Sequence, residues 1–165
     1  MKKITLVLYS LQLFMLTGCC WYCVDDEIPP MNNYEAVIIT RAELESAVQV
    51  LPPHAVEKAG KIYIKDNLMF INDKNSGFHV YNYSNQQNPV PVAFINTPGA
   101  TDLAVRNNTI YINQAVDLLT LQYNPDTNTI QVTKRNRNVF PQKEAPDASY
   151  AGLNNDEIII DWQLK

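Results

Sequence analysis

The amino-acid sequence predicts a mainly all-β fold. Two four-stranded antiparallel units stack like the blades of an incomplete β-propeller, with one short N-terminal amphipathic helix. Three observations predict it. One stretch of sequence occurs twice at a spacing of about 40 residues. Within each copy the apolar residues recur with the period of two that strands require. The copies are punctuated by Asn, Asp, Pro and Gly, the residues of tight turns.

The chain opens with MKKITLVLYSLQLFMLTGCC. Lys2 and Lys3 precede an apolar run from Ile4 to Met15, the layout of an export signal. The stretch up to Gly18 is shorter than the roughly 20 apolar residues of a membrane-spanning helix. Leu16-Thr17-Gly18-Cys19 resembles the lipobox of bacterial lipoproteins. In that family the cysteine thiol receives a diacylglycerol and the signal is cleaved just before it. The resemblance implies a signal peptide over 1–18, lipidation of Cys19 and a lipidated tether over 19–33. Acyl chains contribute about 0.8 kcal/mol per buried CH2, and two or more give stable anchoring. An ordinary signal peptide with a chance cysteine is the alternative. Asp25-Asp26-Glu27 resembles the surface-export signals of some Gram-negative lipoproteins, and a solvated linker explains it equally well. The expected location is the cell envelope, lipid-anchored at the outer membrane or surface of a Gram-negative bacterium.

Subtracting Lys2 and Lys3 from the 13 basic residues leaves 11 against 17 acidic ones, a net charge of −6. That balance is a poor match for nucleic acid, so none is expected as a partner. Cys20 and Cys23 close the cysteine list, so the body has no disulfide framework. The small basic run Lys134-Arg135-Asn136-Arg137 reads as an exposed strand or turn.

In chain order, Tyr34 to Thr40 reads as a strand. Thr40-Arg41-Ala42-Glu43 is a capping box, in which the Thr hydroxyl and the Glu carboxylate each satisfy an amide at the helix start. Leu44, Ala47, Val48 and Leu51 then fall at helical spacing, which predicts a helix over about Arg41–Val50, ended by Pro52-Pro53. Its apolar side is expected to pack on a sheet.

After Gly60 the period becomes two and the repeat begins. Lys61–Lys65 matches Asp102–Arg106, Asp66-Asn67 matches Asn107-Asn108, and Leu68–Asn72 matches Thr109–Asn113, all at an offset of 41. The Asp-Asn and Asn-Asn pairs are two-residue hairpin turns. They fix six cross-strand pairs: Ile64 with Met69, Ile62 with Ile71, Tyr63 with Phe70, Val105 with Ile110, Leu103 with Ile112, and Ala104 with Tyr111. Both faces of both hairpins are apolar, so cover is expected on both sides. Gly77–Tyr83 then matches Asp117–Tyr123 at an offset of 40, and a polar turn and a fourth strand follow in each copy. The units run over about 61–98 and 102–139, inside a domain spanning 34–165. Four-stranded units of this length are what β-propellers stack.

The stretch GFHVYNYSNQQNPVPVAFINTPGATDLAVRNNTIYIN resembles an LVIVD repeat, through Gly77, Asn88-Pro89 and Pro98-Gly99. That family includes many lipid-anchored bacterial surface proteins with propeller-like repeats. The second unit departs from the pattern, with Asp117 in place of the glycine and Thr129 in place of the proline.

No catalytic, cofactor or metal residue is assigned. His54 reads as an exposed loop residue and His79 as a structural residue within a strand. Neither stands at zinc-ligand spacing from another His or Cys. Asp73-Lys74-Asn75-Ser76-Gly77 hints at a calcium loop but lacks the distal glutamate of an EF-hand, so a turn explains it better. Asp102 and Asp117 flank the second hairpin and are candidates to face a central channel.

The expected role is a lipid-anchored binding or scaffold module whose loops meet a protein or glycan at the envelope. The alternatives are an envelope hydrolase or lyase with a central propeller pocket, and a truncated, non-functional copy of a longer propeller. Two units cannot close a ring of about four to eight blades. The terminal EIIIDWQLK reads as a strand with little sequence left to pair with it. Self-association, or a chain cut from a longer propeller, is therefore expected.

Overall fold

The computed structural model describes residues 32–165. The signal peptide, Cys19 and all of the tether up to residue 31 lie outside the described residues. The body is mainly β and its sheets are antiparallel, with none closed. In chain order the elements are β1 (Tyr34–Thr40), α1 (Arg41–Ser46), β2 (Gln49–Leu51), β3 (Ala59–Lys65), β4 (Leu68–Asp73), β5 (Gly77–Asn82), β6 (Val90–Asn96), β7 (Ala100–Arg106), β8 (Thr109–Gln114), β9 (Asp117–Asn124), β10 (Thr129–Asn136) and β11 (Glu157–Leu164). They form a five-stranded sheet β2-β6-β5-β4-β3, a four-stranded sheet β10-β9-β8-β7 and a ribbon β1-β11.

The hairpin turns set the register. Asp66 and Asn107 take left-handed φ values of 53° and 55°, which Asp and Asn adopt at low cost. All six expected cross-strand pairs are formed. The drop in repeat offset from 41 to 40 has a local origin. Asp73 pairs with Gly77 across three turn residues, whereas Gln114 pairs with Asp117 across two. Asn75 and Ala115 hold the left-handed position in the two turns, at φ 64° and 51°. Gly77 is required by close approach, since a Cβ there would lie 2.2 Å from the Ile95 carbonyl oxygen.

The two sheets pack on each other, with β3 beside its counterpart β7 and the added strand β2 beside β10. The core between them joins Phe70, Phe78, Val80, Ala93 and Ile95 of the first sheet to Leu103, Ile110, Ile112, Leu119 and Leu121 of the second. The packing is head-to-tail. The first sheet presents its Tyr63/Phe70 face, and the second presents the face that carries Leu103, Ile110 and Ile112, the repeat counterparts of Ile62, Met69 and Ile71.

Three expectations are corrected. The helix is shorter than expected and ends at Ser46, with Ala47 as its C-cap. Val48 and Val50 instead reach the inter-sheet core, and Val50 pairs with Ile95 as β2 extends the first sheet. Asn96 Nδ2 donates to the Ala47 carbonyl at 2.7 Å and holds the helix end in place. Of the expected apolar stripe, only Leu44 lies within the helix. It packs on Ala115, Val116 and Ile158 in a second small core, against a turn and the ribbon rather than a sheet face.

The terminal strand does find a partner. β11 pairs with β1 from Tyr34↔Leu164 to Thr40↔Glu157, with a bulge at Val37/Ile38. Cover on both faces is also incomplete, for Ile62 and Ile64 are 59% and 55% exposed.

Candidate functional site

At the hairpin-tip end the two sheets diverge and leave a groove of about 340 Å3. Its floor is apolar, built from Leu68, Phe70, Val92, Val105, Ile110 and Tyr123. Its rim is polar and carries Asn67, Asn82, Asn107 and Asn108 beside Lys65, Asp66 and Ser84. The turns put these side chains there: Asp66-Asn67 and Asn107-Asn108 are the hairpin tips, and the positive φ of Asp66 and Asn107 helps the chain to reverse. The rim is fixed from behind. Tyr83 N–H donates to the Asn67 carbonyl at 2.7 Å, and Asn128 Nδ2 ties the β9–β10 turn to the Val92 carbonyl at 3.1 Å. The Tyr123 hydroxyl donates to Asn128 Oδ1, and burial pushes that phenol above its ordinary pKa. A primary amide both donates and accepts, so this rim offers paired hydrogen bonds to neutral polar groups above an apolar floor.

The titratable residues form separate clusters. Asp117 is fully buried. It accepts hydrogen bonds from Arg41 at 2.5 Å, Arg135 at 2.8 Å and the Asn138 amide at 3.0 Å. Burial alone raises its carboxyl, but Arg41, Arg135 and the amide outweigh burial and hold it below the ordinary carboxylate value. This carboxylate replaces the glycine of the first unit and fastens α1 to β9 and β10. It does not face a channel.

Asp102 lies at the inner edge between the sheets. It accepts from the Tyr63 hydroxyl and from Lys61 Nζ at 2.9 Å. Those two bonds, Tyr63's first, keep its carboxyl below the usual range. The two aspartates thus serve different clusters and form no shared site.

His79 and Asp73 form a buried pair at 3.0 Å. Asp73 also accepts the amides of Glu57 and Lys58 at 2.9 and 2.8 Å, which straps the 52–58 segment onto the first sheet. Burial raises its carboxyl, and these hydrogen bonds more than reverse the effect. Exposed His54 stacks on His79 and Phe94, with ring centroids 4.7 and 4.4 Å away. The calcium-like loop is therefore a turn whose first carboxylate is already engaged. Among the described residues no group of three or more His, Cys, Asp or Glu converges to hold a metal.

Lys143, which the sequence did not single out, is largely buried. Burial lowers its pKa from 10.5 to about 8, opposed by Asp161. It donates to Asn75 Oδ1 and joins the 140s segment to the β4–β5 turn. Among the described residues no helix is long and apolar enough to cross a membrane.

No family model matches the chain, and neither a curated protein nor a solved structure matches it.

Proposed function

We propose that the protein is a lipid-anchored binding module of the bacterial cell envelope, with two LVIVD-like, propeller-type blades that hold a neutral glycan chain in the hairpin-tip groove. The observation that carries this reading is the groove's composition. An apolar floor suits the C–H face of a sugar ring, and a row of asparagine amides suits its hydroxyls. Its volume of about 340 Å3 falls within the range of small-ligand sites, so it accommodates one or two rings rather than a folded domain. The anchoring half of the reading rests on Leu16-Thr17-Gly18-Cys19 and the apolar run before it. An acidic, exported body with an amide-rich groove fits neutral envelope polysaccharide better than anionic polymers.

The test is binding of the full-length chain, extracted in nonionic detergent, to an array of neutral and charged bacterial glycans. Wild type is expected to retain neutral glycans. Asn108→Ala, which removes a rim amide without touching the left-handed Asn107, should weaken retention at least tenfold. Val105→Arg, which fills the floor, should abolish it. Equal retention by all three proteins would refute the groove as the site. Cys19→Ala should in parallel leave an unprocessed precursor that takes up no labelled palmitate.

A further inference from the structure

We infer that the protein assembles with further copies of itself, head to tail, through the two faces its internal packing leaves over. The inner half of the β3–β4–β5 face, with Ile62, Ile64, Ile71 and Tyr81, is received by the outer face of the β7–β8–β9 hairpins of the next copy, with Ala104, Tyr111 and Thr120.

The argument starts from the repeat. Each unit has two faces, and the sheet pairing assigns every residue to one of them. In the first unit Tyr63, Phe70 and Val80 share one face, and Ile62, Ile64, Met69 and Ile71 share the other. In the second unit the counterparts of the latter set are Leu103, Val105, Ile110 and Ile112. These lie against the first unit, and Leu103 is only 3% exposed. The molecule therefore already contains one worked example of how this face is covered: by the Tyr63/Phe70 face of the unit before it.

The same face of the first unit is covered only in part: Met69 is 9% exposed, but the edge strand β3 is open. Ile62, the counterpart of Leu103, stands 59% exposed, and Ile64 stands 55% exposed. The 52–58 segment strapped down by Asp73 covers the His79 and Phe94 end, so the inner half is the open part. Two unpaired isoleucines of a half-covered sheet face are a surface that water disfavours.

The occupant follows from the same symmetry. The face that covers Leu103 and Ile110 is the Tyr63/Phe70 face, and its counterpart in the second unit is the face with Ala104, Tyr111 and Thr120. Ala104 is exposed, while Tyr111 and Thr120 are partly so. Small Ala104 opposite the ring of Tyr111 leaves room for the two isoleucines. The edge charges match as well. Lys61 meets Asp102 at 2.9 Å inside the chain. Asp102 holds the Lys61 position of its own unit, so at the new contact it faces Lys61 of the added copy. Because the two faces differ, the contact is heterologous, and closure yields a ring with an even number of units. Two, three or four copies give four, six or eight blades, inside the range over which propellers close.

The experiment is light scattering coupled to size exclusion on the full-length chain in nonionic detergent, with the detergent mass subtracted. Wild type is expected at two, three or four copies. Ile64→Lys and Ala104→Arg each place a charge at an exposed position on one face. Each variant alone should lose the closed assembly while keeping the wild-type circular dichroism and a cooperative melt. Mixed at 1:1, the two variants should form a heterodimer, because the intact faces of the two proteins are complementary. A monomeric wild type overturns the inference, as does an assembly that survives both substitutions. Dissociated variants that mixing does not restore would mean like-on-like pairing, and overturn it too.

Discussion

At the residue scale, the second unit's departure from its own repeat is its most informative position. Where the first unit needs Gly77 for close backbone approach, the second has Asp117, and the space is used to bury a carboxylate between Arg41, Arg135 and the Asn138 amide. Asp117 has a folded pKa below its unfolded value, so the unfolded state binds the proton first as pH falls. The stability it contributes is present above the ordinary carboxylate value and is lost as pH drops through the depressed folded value. Asp117→Asn is expected to cost roughly 3 kcal/mol at pH 7, as when one partner of a buried pair is removed. It should also flatten the acid limb of a urea-midpoint profile taken from pH 7 to 2.5, and an unchanged limb would assign acid sensitivity elsewhere. No local pattern announces this cluster, because Arg41 and Asp117 lie 76 residues apart. The sequence marks Asp117 as a misfit to a pattern and as a candidate for a central channel, and neither reading points to Arg41. The groove asparagines were visible, but only as turn formers. Their second use depends on where the sheets diverge, which no local pattern encodes.

At the element scale, strand hairpins were readable because their information is local. Alternation assigns the faces, a two-residue turn fixes the register, and Asp66 or Asn107 supplies the left-handed residue. Substituting Asn107→Val puts a β-branched residue at φ 55° and should cost about 1–2 kcal/mol, whereas Asn107→Gly should be neutral within about 0.5 kcal/mol. Urea midpoints of the two variants check this, and equal costs would show that the turn does not set the register. The helix is legible in the sequence at its start but not at its end. Its capping box is a sequence-local device and is present, with Thr40 Oγ1 accepting from Glu43 N–H at 3.2 Å. Its end is decided by tertiary structure. Leu44, Ala47, Val48 and Leu51 fit a helical stripe, but Val48 and Val50 also fit strand alternation. Pairing with Ile95 and burial in the inter-sheet core favour the strand, where β-branched residues pack well.

At the scale of the whole molecule, the feature the sequence hid is the ribbon of β1 and β11. Its two strands stand at opposite ends of the described body, and pairing over that separation leaves no local trace in composition or period. The ribbon supplies Ile158 to the second core and positions Leu44 over the Ala115–Val116 turn. Ile158→Ala should cost about 3 kcal/mol, as for a buried aliphatic side chain, and a thermal melt by circular dichroism checks it. A loss below about 1 kcal/mol would mean that the ribbon folds independently of the sheets. The ribbon also imposes an order on synthesis. Tyr34–Thr40 leaves the ribosome before either unit exists, yet its partner strand is not made until Glu157–Leu164 has been read. Until then β1 carries a bare edge, and Val116 lacks Ile158 as cover. Closing so long a loop is slow compared with forming a hairpin, so the ribbon forms late, after both units. A polypeptide broken off before Glu157 can complete both sheets and still offer proteases an open strand at Tyr34–Thr40.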